Sequence, residues 1–373
     1  MRGSVKIGTI RGIAIEVNVS WLIIFTLITV MLATSFFPLN YPDWDPTLYW
    51  IIGALMAIML FVSVLLHELS HSLVAIKNGI EVKRITLFIF GGVAQIETEP
   101  DEPIKEFKIA IAGPAMSLFL SLFFSALASL ATASGASEYL IVPLTYLATV
   151  NLVLAIFNLV PAFPLDGGRI LRAIIWHYKG NLRLATKIAS NMGGFFGYFL
   201  MFSGIFIALS GDIVGGVWFI FIGWFINQAS QASYQQTMVT DIFKKIKIKE
   251  FMTTDVIVVE YHKTLQELVD EYFYVYKFAS FPVRRMDEIF GVVSVNDIKS
   301  IPRDRWQETL VTEIARPLTD DMEISPDCTV TSSLNKLSKN GLGRILVMED
   351  DKLLGIVSNT DVLNYIRIHS ELQ

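Results

Sequence analysis

Cysteine is nearly absent: Cys328 stands alone in 373 residues. An intramolecular disulfide is impossible, and zinc or redox motifs built on paired cysteines are excluded. Charge is scarce as well. Asp, Glu, Lys and Arg make up 17% of the chain, against about 25% in an ordinary soluble domain. The shortage is uneven. From position 241 onward there are 17 basic and 22 acidic residues, leaving 13 of each in the first 240. The chain therefore reads as a membrane-embedded first part and a soluble, mildly acidic second part. A net charge of −5 gives no reason to expect a nucleic-acid partner. A cleavable signal peptide is not expected either. The first apolar run, from near Val19, is as long as a spanning helix, and no small-residue cleavage site with a polar mature start follows it.

What the chain has in place of charge is apolar length. A spanning helix needs about 20 apolar residues. Runs of that kind cover Val19–Phe37, Leu48–Ile76, Phe107–Ala133, Leu140–Val160, Ile188–Leu209 and Ile213–Ala229. The last two are separated only by Ser210, Gly211 and Asp212. Three of the connections, 38–47, 134–139 and 210–212, carry no Lys or Arg. Arg2, Lys6 and Arg11 precede the first run, Lys77, Lys83, Arg84 and Lys105 lie between the second and third, Arg169, Arg172, Lys179, Arg183 and Lys187 between the fourth and fifth, and Lys244, Lys245, Lys247 and Lys249 after the sixth. That alternation predicts both termini in the cytoplasm of a cell-membrane protein embedded in lipid.

Segment 80–98 differs. Ile80 to Phe90 is β-branched and aromatic, Gly91-Gly92 breaks it, and Val93-Ala94-Gln95-Ile96-Glu97 resumes the pattern. A small β-hairpin or sheet at the cytoplasmic face is expected, with an interfacial connecting loop as the alternative. Open strand edges cannot face lipid, so the element must be covered by protein or lie at the interface.

The second span contains His67-Glu68-Leu69-Ser70-His71. Residues four apart stand on one helix face, so both imidazoles reach a single metal, with Glu68 beside them to take a proton from water. Zinc bound by such a set lowers the pKa of water toward about 7. Ionisable groups inside a membrane helix are costly and usually serve a site. His67 lies about 15 Å along the helix from Lys77, at 1.5 Å per residue. Two histidines leave the metal short of a ligand, and Asp166 is the candidate third. It follows Asn158-Leu159-Val160-Pro161-Ala162-Phe163-Pro164-Leu165, where two prolines before it and Gly167-Gly168 after it predict irregular backbone lining a cavity. The second and fourth spans end at the same membrane level, so Asp166 can meet His67 and His71. Its alternative role is a helix-capping or juxtamembrane acid.

The spacings His67-Glu68-x-x-His71 and Asn158-x-x-Pro161-x-x-x-x-Asp166-Gly167, with Ala112-Gly113-Pro114 in the third span, resemble the site-2 protease family of intramembrane metalloproteases. The resemblance covers about residues 1–230 and lacks the PDZ insertion of one branch. It implies zinc held by His67, His71 and Asp166, with Glu68 as general base. It implies for Asn158 a hold on the scissile carbonyl or its oxyanion, unless Asn158 serves only a helix–helix hydrogen bond. The implied substrate is a transmembrane protein segment, locally unwound and paired by strand addition to an edge strand at 80–98.

Residues 250–373 contain a repeat. Gly291-Val292-Val293-Ser294-Val295-Asn296-Asp297 returns as Gly355-Ile356-Val357-Ser358-Asn359-Thr360-Asp361, 64 residues later. Each unit reads strand, helix, strand, strand, helix. The pair resembles cystathionine-β-synthase (CBS) repeats. The resemblance implies adenine-nucleotide contacts at Ser294, Asp297, Ser358 and Asp361, with Arg284, Arg285 and Arg344 near phosphate. It leaves open that the acids only cap helices and that the repeats only form a homodimer. The organisation expected is a six-span protease domain over 1–229, a linker over 230–249 and a regulatory CBS pair over 250–373. As a fold class this is a polytopic α-helical membrane protein of six transmembrane helices with a small interfacial β-element, followed by a cytoplasmic α/β CBS-pair domain. The competing functions are a CBS-gated transporter or channel and an inactive scaffold; neither explains an intact His-Glu-x-x-His set.

Overall fold

The computed structural model describes residues 3–89, 91–96, 100–286 and 288–371. It divides into two compact units, Met1–Gln235 and Gln236–Gln373.

The first unit opens with strands β1 (Ser4–Ile10) and β2 (Ile13–Asn18), followed by helices α1 (Ser20–Asn40) and α2 (Pro46–Lys77). Strands β3 (Val82–Phe88) and β4 (Gly91–Ile96) come next, then α3 (Pro103–Ala133), α4 (Glu138–Leu159), α5 (Asp166–Lys179), α6 (Leu182–Leu209) and α7 (Ile213–Lys245). Six of these helices, α1 to α4, α6 and α7, are long and apolar enough to cross a membrane. They correspond to the six expected spans, with starts moved by local caps. Asp45 accepts the Thr47 amide at 2.7 Å and Pro46 occupies the first turn of α2. Asn181 caps α6 through the Leu184 amide at 3.0 Å, so that helix begins six residues before the expected Ile188.

The β-element is a sheet rather than a hairpin alone or a connecting loop, and it includes two N-terminal strands outside the expected segment. Its order is β1-β2-β3-β4. A hairpin turning at Arg11-Gly12, both at positive φ, joins β1 to β2. Strands β2 and β3 run parallel, with Ile15 opposite Ile85. The alternation Ile13, Ile15, Val17 is the strand signal behind the basic residues of the N-terminus. Gly91 and Gly92 do not break the strand. They are paired within β4, opposite Phe88 and Leu87. Phe90 and Glu97 to Glu99 lie outside the described residues. Ile13, Ile15, Val82 and Ile85 are buried with Leu69 of α2 and Ile109 of α3. The apolar face of the sheet is thereby spent against the two helices that build the site, and β4 remains an edge.

Helix α5 was not expected. Asp166 stands in its first turn, and Gly167-Gly168 are helical rather than irregular. Their purpose is close approach. A Cβ on Gly167 would lie 2.3 Å from the Leu159 and Val160 carbonyl oxygens, and one on Gly168 2.3 Å from the Phe163 nitrogen. The helix can start inside its own preceding loop only because these side chains are missing. The expected irregularity is confined to the stretch after α4.

Helices α6 and α7 are bound by a seven-residue repeat of small residues. Ser190 and Ser230 exchange hydroxyl-to-carbonyl hydrogen bonds at 3.1 and 2.7 Å. A Cβ on Gly197 would lie 2.6 Å from the Gly223 oxygen, and one on Gly204 2.6 Å from the Gly216 oxygen. Small residues allow this backbone approach where lipid offers no hydrophobic drive. The segment expected as a linker from 230 is helical as far as Lys245.

In the second unit the repeat is visible in three dimensions. The first copy has β5 (Val259–Glu260), a helical stretch α8 over 265–276, β6 (Ser280–Arg285), β7 (Glu288–Ser294) and α9 (Val295–Ile298). An added strand β8 (Arg316–Pro317) closes its sheet in the order β5-β6-β7-β8. The second copy has β9 (Glu323–Ile324), α10 (Val330–Asn340), β10 (Arg344–Glu349), β11 (Lys352–Ser358) and α11 (Asn359–Glu371). Phe281 pairs with Val293 and, 64 positions on, Ile345 pairs with Val357. Both ladders shift register at the same place, after Val283 and after Val347.

Candidate metal site

His67 and His71 project from one face of α2, and Asp166 arrives from the start of α5. All three are buried, at 4%, 5% and 8% exposure. Asp166 Oδ2 lies 3.1 Å from His67 Nε2 and 3.0 Å from His71 Nε2, and the two nitrogens are 3.2 Å apart. Ligand bonds of 2.0–2.2 Å in a tetrahedron put ligand atoms about 3.3–3.5 Å from one another. The three atoms are within a few tenths of an ångström of that spacing, so the set fits a zinc ion.

The outer ring nitrogens are held by α3. His71 Nδ1 donates to the Ile109 carbonyl at 2.6 Å. A carbonyl only accepts, so the proton sits on Nδ1 and the Nε2 lone pair is free for a metal. His67 Nδ1 meets Ser117 Oγ at 2.8 Å. Between these two, Gly113 faces the ligand nitrogens. A Cβ there would stand 2.1 Å from His71 Nε2 and 2.5 Å from His67 Nε2. Ile109, Gly113 and Ser117 are four apart, one stripe of α3 laid beneath the pair of imidazoles. The motif resemblance had included Gly113, but Ser117 and the Ile109 carbonyl had no signal in the sequence. A serine in an apolar helix is common, and a carbonyl is present at every position.

Glu68 is half-buried beneath the sheet. A Cβ on Gly92 of β4 would come 2.5 Å from Glu68 Cγ. Edge strand and candidate base are in direct contact, which the sequence did not indicate. Ser70 turns inward on its own helix, donating to the Leu66 carbonyl at 2.8 Å. Asn158 likewise donates to the Leu154 carbonyl of its own helix at 3.0 Å and is half-buried.

In the second unit, Asp297 Oδ2 accepts from the Ser294 amide and hydroxyl at 2.8 and 2.6 Å, and its Oδ1 accepts from Arg316 Nε at 2.7 Å. Asp361 Oδ2 accepts from the Ser358 amide and hydroxyl at 2.8 and 2.7 Å. Both acids are thus engaged at the start of the helix after the motif. Arg284 is paired with Glu260 at 3.0 Å. Arg344 stacks 4.0 Å over the Phe278 ring and donates to the Ser280 carbonyl at 3.2 Å. Burial of its guanidinium, only partly offset by Asp361, lowers its pKa from the usual arginine range.

A buried two-histidine, one-carboxylate cluster beside helices long and apolar enough to cross a membrane is a candidate metal site of the kind metalloproteases use. Comparison with known proteins agrees. The sequence pattern of peptidase family M50 matches residues 55–138 and 128–204, and that of the CBS domain matches 248–304 and 311–368. The zinc metalloprotease Rip3 of Mycobacterium tuberculosis is 34% identical over 371 residues, covering 99% of this chain and 94% of that protein. Zinc metalloprotease MJ0392 of Methanocaldococcus jannaschii is 32% identical over 372 residues, covering 99% and 97%. The solved site-2 protease from Methanocaldococcus jannaschii is 30% identical, covers 62% of this chain and 95% of its own, and superposes with a TM-score of 0.42. The chain belongs to peptidase family M50, the site-2 proteases, and carries a pair of CBS domains.

Proposed function

We propose that this chain is an intramembrane zinc endopeptidase that hydrolyses peptide bonds in transmembrane segments of membrane proteins, tuned by its CBS pair. The observation that carries the reading is the convergence of His67, His71 and Asp166 at 3.0–3.2 Å, buried among membrane-length helices. These three residues are the ligands. Zinc bound there supplies a Lewis acid and makes hydroxide available at neutral pH. Glu68, next to the first ligand, takes the proton of the attacking water and passes it to the leaving amine. Asn158 spends one N–H of its amide on the Leu154 carbonyl and keeps the second to serve the oxyanion.

A transmembrane helix has no free backbone groups and must unwind before it is cut. Among the described residues strand β4 is the end strand of its sheet, and its Gly92 lies against Glu68. An unwound segment added to β4 would have its backbone held extended beside the base. The basic residues between spans support a cytoplasmic side for both termini and the CBS pair. There an adenine nucleotide at Ser294, Asp297, Ser358 and Asp361, or pairing of two copies through the CBS repeats, would set activity. A nucleotide at Asp297 must compete with Arg316.

The deciding experiment uses purified protein and its Glu68→Gln form, with zinc measured in each and a single-span helical substrate added. Zinc in both and cleavage by the first only is expected. Zinc in both with cleavage by neither would favour a scaffold or a transporter.

A further inference from the structure

Helix α3 carries one more residue on the stripe that faces the site. Glu106 precedes Ile109 by three positions and Gly113 by seven, so it shares their face. It is fully buried, and Arg172 of α5 is 6% exposed. Arg172 Nε donates to Glu106 Oε1 at 2.7 Å, and a terminal guanidinium nitrogen donates to the same oxygen. The guanidinium also lies 4.9 Å over the Phe163 ring. Phe163 and Arg172 bracket Asp166, three residues before it and six after.

A buried ion pair is a poor source of net stability. Apolar residues of similar volume often do as well or better. In a membrane unit the case for geometry over stability is stronger. The rest of the stripe shows what that geometry is. Ser117 holds His67 and the Ile109 carbonyl holds His71. We infer that the Glu106–Arg172 pair is the positioning device for Asp166: it fixes α5 on the same face of α3 that orients the two histidines. One stripe, Glu106, Ile109, Gly113 and Ser117, then sets all three ligands relative to one another. The inference rests on the zinc reading proposed above.

The test is zinc affinity of the full chain in detergent or nanodiscs, by competition with a chromophoric chelator, with cobalt spectra as the coordination readout. Glu106→Gln is expected to weaken zinc binding about 10–100-fold, the usual effect of removing a group that supports a ligand. Its cobalt spectrum should shift as the carboxylate leaves. Arg172→Lys keeps the charge but loses the planar fork and the ring contact. It should weaken binding by a smaller factor, and it decides the matter should Glu106→Gln not fold. Asn151→Ala is the control. It removes a buried bond to Ser63 at 3.1 Å between α4 and α2, and should lower thermal stability with zinc affinity unchanged. Wild-type affinity in both pair variants, or an equal loss in Asn151→Ala, overturns the inference. A wild-type chain that binds no zinc overturns the zinc reading itself, and the inference with it.

Discussion

Gly113 lies where a side chain would meet the metal ligands: a Cβ at that position would stand 2.1 Å from His71 Nε2. The imidazole is also tethered on its far side by its 2.6 Å bond to the Ile109 carbonyl. Gly113→Ala should therefore lower zinc affinity by about 100-fold or more, beyond the usual effect of disturbing a ligand's support. Zinc measured after equilibrium dialysis checks this, and full retention would show that α3 yields more easily than its packing suggests.

Glu68 is not among the atoms that converge on the metal point. Glu68→Gln should keep zinc stoichiometry and lower the cleavage rate about 10²–10⁴-fold, the span ordinary for a general base. Single-turnover cleavage of a helical substrate is the measurement. A variant as fast as wild type would remove Glu68 from the mechanism.

Gly92 separates substrate handling from metal binding. A side chain there would press on Glu68 Cγ at 2.5 Å. Gly92→Val is expected to lower cleavage of a full helical segment at least about 10-fold while zinc content is unchanged, since displacing a catalytic group by about 1 Å is costly. Cleavage at the wild-type rate would show that the contact between β4 and Glu68 does not position the base.

Asp297 and Asp361 each satisfy a backbone amide at the head of a helix. Asp297→Ala and Asp361→Ala should each cost about 1 kcal/mol of stability in the second unit, as loss of a helix cap does. Thermal unfolding of the full chain, repeated with added ATP, tests both roles. A nucleotide-dependent rise in midpoint that disappears in the variants would assign the acids to ligand as well as to the cap.

Much of this arrangement was legible in the chain itself. Apolar run length set the six spans, because the bilayer imposes one scale on every helix that crosses it. The spacing of His67 and His71 was decisive because residues four apart share a helix face whatever surrounds them. The 64-residue echo announced the CBS pair, since two copies of one pattern form the same ladders. The N-terminal hairpin was missed because its basic residues suited a membrane flank equally well. Helix α5 was missed because Gly-Gly is a poor local helix signal, and only the loop packed behind it shows why the side chains are absent.

Local pattern thus determined the kinds of ligand, their helix and the membrane class. Tertiary structure decided what no window of sequence contains. It brings Asp166 to two histidines nearly a hundred residues away. It chooses the Ile109 carbonyl and Ser117 to hold the imidazoles, and lays Gly113 and Gly92 where a single methyl group would intrude. Helix periodicity is intrinsic to the backbone, whereas these contacts depend on how three helices and a sheet edge pack against one another.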